Sequence, residues 1–401
     1  MGLQDSVLSM QIQQEIDALR QRFFEISQYI GHHPELGHEE FKAAEILTKE
    51  LKAHGFQVEL GTAGLATAFT AEFDSGKPGP TIGYMCEYDA LPGLGHACGH
   101  NLIGTMGIAS GIGLSKVVEH TGGRVFVYGT PAEETRGGKV TMAEQGLFNH
   151  LDVAMMAHPS SHYQKSGSSL AMDAIQFEFH GKAAHAAAAP HEGVNALDAV
   201  IQTFNAINAL RQHVKPDVRI HGIIPEGGQA ANIVPDYAKA QFYVRAASRS
   251  YLKEVLQKVI SCAEAAALAT GATLGTSFYE LSYDDMLTNQ ALSDTFTKQL
   301  SVLGISDDEI KEKEGGGSGS IDMGNVSQAT PAIHPYIRIS QTPIIGHTHE
   351  FREAALSSEG FEGMLIGAKA LALTGLAVLQ DADLLRKIKE EFQSALEVSS
   401  I

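Results

Sequence analysis

The sequence predicts an α/β protein: a mostly parallel sheet flanked by helices, interrupted by an inserted ferredoxin-like α+β domain. Three observations predict it. Strand-like apolar runs alternate with helical periods up to about Ala157, the pattern of a parallel sheet covered by helices. From residue 171 the order becomes β-α-β-β-α-β, that of the split βαβ unit. Helical periodicity returns near 288–303 and 360–377, so the first domain is completed after the insert. The expected boundaries are 1–170 with 285–401 for the discontinuous domain and 171–284 for the insert. A length of 401 residues suits two domains.

The elements follow in order. Ile12, Ile16, Leu19, Phe23, Ile26 and Ile30 recur every three or four residues and mark a first helix ending near Gly31. A second helix runs from about Glu39 and stops before Gly55. Residues 81–86, 124–129 and 151–156 are continuous apolar runs and read as buried strands. In the insert, Ile175, Phe177 and Phe179 share one face of a strand over 171–180. A helix at 194–213 carries the stripe Leu197, Val200, Ile201, Phe204, Ile207 and Leu210. Strands near 218–224 and 238–245, a helix at 251–269 and a strand near 271–280 complete the unit. The glycine-rich stretch 315–320 fits a linker and an active-site loop equally well.

A formal net charge of -18 argues against a nucleic-acid surface, which needs a basic patch. Cys86, Cys98 and Cys262 are too few for a disulfide framework, which points to a reducing, cytoplasmic location. No apolar stretch approaches a membrane span, and the first residues lack the basic start and apolar core of a secretion signal, so no membrane partner is expected.

Chemistry concentrates just beyond the three buried runs. There lie Cys98-Gly99-His100, Glu133-Glu134 and His158. Catalysis in open α/β sheets gathers at the carboxyl ends of strands, and thiolate, imidazole and carboxylate are metal ligands. Each piece has a plainer reading: a buried cysteine beside a core histidine, a solvated acidic turn, a turn histidine. Together they favour a metallohydrolase, because adjacent carboxylates at a buried strand end need a compensating cation. One carboxylate would hold metal and the other take a proton. The run Gly93–Gly99 is no dinucleotide fingerprint, since its third glycine is one residue late.

Glu87-Tyr88-Asp89-Ala90-Leu91-Pro92-Gly93-Leu94-Gly95-His96-Ala97-Cys98-Gly99-His100-Asn101 closely resembles a motif of the metallo-amidohydrolases that include aminoacylases, hippurate hydrolase, carboxypeptidase G and the p-aminobenzoyl-glutamate hydrolases. So do His33-Pro34-Glu35-Leu36-Gly37, Thr130-Pro131-Ala132-Glu133-Glu134 and 181–187. The likeness spans both domains and is nearest to the aminobenzoyl-glutamate hydrolase and dipeptidase-like branch. It implies two divalent ions, Zn²⁺ or Mn²⁺, held by Cys98, His100, Glu134, His158 and a late histidine. His347 is favoured over His349 for that place. It also implies Glu133 as general base, Asp89 as the acid that orients a ligand, His185 as a substrate contact in the partner subunit's site, and Asn232 and Arg245 as holders of a substrate carboxylate. The sequence departs from the commoner pattern at Ile321 and in using a thiolate, where many relatives carry a carboxylate. The implied activity is hydrolysis of an amide bond in an N-acyl amino acid, an aminobenzoyl-glutamate-like compound or a dipeptide with a free carboxylate, by a homodimer joined through the insert. A dipeptidase needing a free α-amine and a catalytically silent relative are the alternatives.

Overall fold

The computed structural model describes residues 3–312 and 319–399. Most of the glycine-rich stretch 315–320 therefore lies outside the described residues. The chain divides into two compact units, the second built on Ser169–Asp285.

The first unit is organised around a six-stranded sheet. Its strands are β1 (Gln57–Leu60), β2 (Phe69–Asp74), β3 (Thr81–Cys86), β4 (Arg124–Gly129) and β5 (Val153–Met155), with a late strand at Ala332–Ile333. The spatial order is β1-β2-β4-β3-β5 and then the late strand. β3, β4, β5 and the late strand run parallel, while β1 and β2 add an antiparallel edge. β3 is buried along its whole length, as its unbroken apolar run requires. The register sets Cys86 beside Gly129 and Tyr84 beside Met155. The segments leaving these three strands therefore emerge at one rim.

Helix His100–Ser115 is buried throughout and packs against β3 so closely that a Cβ at Gly107 would lie 2.3 Å from Cys86 Sγ. Helix Ser358–Gln380 covers the same core. This helix corrects one expectation, for it is long and apolar enough to span a membrane. Its apolarity is explained by burial, since 78% of its most apolar window is inside the protein. The helix expected over 12–31 is interrupted at Leu19, giving Leu3–Ala18 and Arg20–His32. Its stripe is otherwise as the spacing demands, with Ile12, Ile16, Phe23, Ile26 and Ile30 buried.

The first unit also contains a small four-stranded sheet that includes β6 (His158–Ser160) and β7 (Tyr163–Gln164). β6 pairs in parallel with Tyr336–Arg338, His158 beside Tyr336. Such short strands leave no periodicity to read.

The second unit contains an antiparallel sheet of β8 (Ala171–His180), β9 (Arg219–Glu226), β10 (Tyr237–Ala246) and β11 (Thr273–Phe278), in the order β11-β8-β10-β9. Helices Ala196–Leu210 and Arg249–Thr270 cover one face. Asn195 and Ser248 cap them by accepting backbone N–H groups of the first turn. Phe177, Phe179, Val200, Ile207, Phe242 and Val259 form its core. β9 is an edge, and its Ile223 and Ile224 are 63% and 42% exposed.

Candidate metal centre

The rim of the first sheet gathers the predicted ligands. Cys98 and His100 flank Gly99, whose φ of 82° is left-handed. A Cβ there would lie 2.8 Å from Pro159 Cγ, so only glycine lets this turn settle against the His158–Pro159 strand. Cys98 Sγ consequently sits 3.4 Å from His158 Nε2. The donor atoms of Cys98, His100 and His158 lie within 4.8 Å of one another, and so do those of Cys98, Glu134 and His347. Cys98 belongs to both groups. A third group, His100, Glu133 and Glu134, lies beside them, and together these residues could hold divalent ions.

The histidines are prepared for coordination through Nε2. His100 Nδ1–H donates to Asp89 Oδ1 at 2.9 Å, and His158 Nδ1–H donates to the Pro159 carbonyl at 2.8 Å. His100 Nε2 is buried and makes no hydrogen bond, with Glu87 Oε2 3.4 Å away; since Nδ1 donates to Asp89, Nε2 is the nitrogen that would meet a cation. Asp89 Oδ2 accepts the Glu134 backbone N–H at 2.9 Å, so one buried carboxylate orients two ligands. Burial pushes the Cys98 thiol up, and a cation at Sγ is what would hold it as thiolate. The donor set thus fits divalent metal.

His347 has a left-handed φ of 63°, its N–H donates to the Ala97 carbonyl at 2.9 Å, and its Nε2 lies 3.3 Å from Glu134 Oε1. His349 begins the next helix, is exposed, and joins none of the three ligand groups among the described residues.

Glu133 and Glu134 leave β4 through Thr130, Pro131 and Ala132. Ala132 also has a positive φ, 61°, and its carbonyl accepts the N–H groups of Thr135, Arg136 and Gly137. Burial, with Glu87, Asp322 and Glu134 nearby, pushes the Glu133 carboxyl well up, a state suited to a proton carrier. Glu35 of the His33–Gly37 motif is structural: its carboxylate accepts the N–H groups of Lys42 and Ala43 at the start of helix Phe41–Ala53.

Three further groups were assigned no role from the sequence. Lys139 is fully buried, and its Nζ donates to Glu87 Oε1 at 2.6 Å and Asp322 Oδ1 at 2.7 Å. Glu87 Oε2 faces His100 Nε2 at 3.4 Å. The lysine supplies a fixed countercharge behind the ligands.

His185, Asn232 and Arg245 belong to the second unit. The first two are together, since His185 bridges Ile233 and the Ala186 N–H donates to the Asn232 carbonyl at 3.0 Å. Arg245 lies at the far end of β10, where its Nε donates to Ser320 Oγ at 3.2 Å and its guanidinium covers the Tyr243 ring. Arg245 is eight residue steps along the strand from Tyr237, roughly 27 Å at the usual rise. A single chain therefore does not close Asn232 and Arg245 on one carboxylate.

Comparison with known proteins agrees with this architecture. Residues 172–270 match the peptidase dimerisation domain of the M20 family. The chain is 40% identical to the Xaa-Arg dipeptidase of Mus musculus, over 98% of this chain and 93% of that protein. It is 30% identical to a p-aminobenzoyl-glutamate hydrolase chain of Escherichia coli strain K12, over 95% of this chain and 94% of that one. Its fold is shared by a Bacillus subtilis dinuclear metal-binding peptidase of the M20 family (TM-score 0.66, 19% identity, 91% of this chain and 99% of that one). Near-full-length identity at this level, on a sheet rim that gathers thiolate, imidazole and carboxylate, shows that the chain belongs to the M20 family of peptidases and amidohydrolases.

Proposed function

We propose that this metal-dependent amide hydrolase cleaves a dipeptide or N-acyl amino acid whose leaving amino acid bears a free carboxylate, using two ions, Zn²⁺ or Mn²⁺, that share Cys98. The observation that carries the reading is the pair of ligand groups meeting at Cys98, with Glu133 beside ligand Glu134. Cys98, His100 and His158 form one set and Cys98, Glu134 and His347 another; a third, His100, Glu133 and Glu134, sets Glu133 against both, close enough to serve the same centre as base. When bound, the ions supply Lewis acidity at the amide carbonyl and acidify the attacking water. Glu133 takes the water's proton and delivers it to the leaving nitrogen. Asp89 holds His100 and the Glu134 backbone in register throughout.

We assign substrate contact to His185, Asn232 and Arg245. His185 stabilises the developing oxyanion, and Arg245 and Asn232 receive the carboxylate. Their separation along β10 supports a homodimer in which one subunit provides His185 and Asn232 and its partner provides Arg245. The exposed isoleucines of edge strand β9 support the same interface. Mixing a Glu134→Ala subunit with a His185→Ala subunit tests this. One site of the heterodimer is then whole, so up to about half the wild-type rate per dimer returns. No rescue after verified subunit exchange removes the role of His185 in trans.

The dipeptidase relative supports a basic leaving residue. So does a cleft beside Ile233 lined by Glu226, Gln229, Asp236 and Tyr237. A panel of N-acyl amino acids, aminobenzoyl-glutamate and dipeptides ending in Arg, Leu or Glu decides the substrate. The reading predicts the highest kcat/KM for the peptide ending in Arg, and preference for a blocked α-amine would make the protein an acylase instead. Three free thiols, one of them a ligand, suit a reducing, cytoplasmic location.

A further inference from the structure

Glu40 lies outside every ligand set. It is fully buried, yet its carboxylate is spent on two neighbours that have no metal to hold. Oε1 accepts the Ala132 N–H at 2.9 Å, and Oε2 accepts the Thr67 hydroxyl at 2.7 Å. Thr67 is itself tied down, its carbonyl accepting the Tyr88 hydroxyl at 2.6 Å. Ala132 is the left-handed residue from which Glu133 and Glu134 project. Alanine holds such a conformation only where its surroundings impose it. Gly37 presses on the same residue, for a Cβ there would lie 2.8 Å from Ala132 Cβ.

We propose that Glu40 is a positioning residue for hydrolysis: by accepting the Ala132 N–H it imposes the left-handed turn that aims Glu133 at the reacting water. Burying a carboxylate is costly, and this turn is what the buried group secures. A strained backbone placed immediately before the base makes its aim depend on one hydrogen bond. Glu40 reaches the site through Ala132, while ligand Glu134 beyond the same turn is held independently by its N–H to Asp89, so metal binding and substrate affinity are spared while the chemical step is not. The proposal rests on Glu133 being the base.

The test compares Glu40→Ala, Glu40→Gln and the double variant Glu40→Ala/Ala132→Gly, all loaded with metal. Glu40→Ala should lower kcat roughly 10–100-fold, the scale of a misaimed group, with KM and metal content within about twofold of wild type. Glu40→Gln should recover most of that loss, because its amide oxygen still accepts the Ala132 N–H and the Thr67 hydroxyl can accept from its nitrogen. Glycine adopts the left-handed region without steric cost, so the double variant should regain at least tenfold over Glu40→Ala. A cavity left by Glu40 would be untouched by Ala132→Gly, so failure of that rescue overturns the proposal. So does a Glu40→Ala enzyme with normal kcat, a glutamine variant as slow as the alanine one, or loss of metal in place of kcat. Should Glu40→Ala fail to fold, the glutamine variant and Ala132→Val, which penalises the turn directly, carry the comparison. A parallel Glu133→Gln enzyme that retains its kcat refutes the base assignment by itself, whatever the Glu40 variants do.

Discussion

Asp89→Asn should weaken metal binding 10–100-fold without unfolding the protein. Asp89 is 1% exposed and uses both oxygens, one for His100 Nδ1–H and one for the Glu134 N–H, each at 2.9 Å. Asparagine replaces one of the two accepting oxygens with an NH₂ group, which only donates. If its NH₂ group turns toward Glu134, a buried backbone N–H loses its acceptor, at a cost of about 1–3 kcal/mol. If it turns toward His100, Nδ1 must accept and the proton moves to Nε2, the nitrogen required by the metal. Either way the loss falls on ligand geometry, and ~1.4–2.8 kcal/mol corresponds to one or two decades in affinity. That range matches the usual effect of removing an outer partner of a metal ligand. Competition between the metal-free protein and a chelator of known affinity measures it, with circular dichroism confirming the fold. A folded variant whose affinity stays within twofold of wild type would refute the orienting role of Asp89.

Glu133→Gln should cost about 10²–10⁴-fold in kcat with metal content unchanged, as elemental analysis and steady-state kinetics will show; near-normal turnover would remove it as base. His347→Ala should release metal while His349→Ala keeps most of it, and equal losses would mean that the loop has been misassigned. Burial, partly opposed by the Thr67 hydrogen bond, pushes the Glu40 carboxyl up from its ordinary 4.5 to about 7. The folded state therefore binds this proton more tightly than the unfolded one, and stability falls as pH rises from about 4.5 through about 7. Charging it costs up to about 3 kcal/mol, so metal-free Glu40→Gln should gain in melting temperature over wild type at pH ~8 and not at pH ~5; a pH-independent difference would contradict this.

The parts of the fold that repeat were legible in the sequence, because periodicity is a local property. The stripe from Ile12 to Ile30, the buried runs of β3 and β4 and the β-α-β-β-α-β order of the second unit all declare themselves over a few turns or strands. Cys98, His100, Glu134 and His158 stood out as candidate ligands for a related reason, each lying beyond a buried run of the sheet, whereas His347 came from the family resemblance alone. Lys139, Glu87, Asp322 and Glu40 were not assigned roles from the sequence. Lys139 meets Asp322 across 183 positions and Glu40 meets Ala132 across 92, so neither pairing leaves a local pattern. A lysine reads as solvent-exposed until its partners are known. The small sheet around His158 went unseen because its strands are two or three residues long. Arg245 and Asn232 were assigned to one carboxylate from motif positions alone; the length of β10 is what separates them.

The central claim is that two ions would be held by ligand groups that share Cys98. Equilibrium dialysis of metal-free protein against Zn²⁺ or Mn²⁺, with elemental analysis and hydrolysis followed on the same samples, tests it directly. Wild type should bind two ions per chain and reach full activity only when both are bound. Cys98→Ala, which removes a ligand from both groups at once, should hold neither ion tightly and should not turn over. Full activity at one ion per chain, or a Cys98→Ala protein that still binds two, would contradict the account.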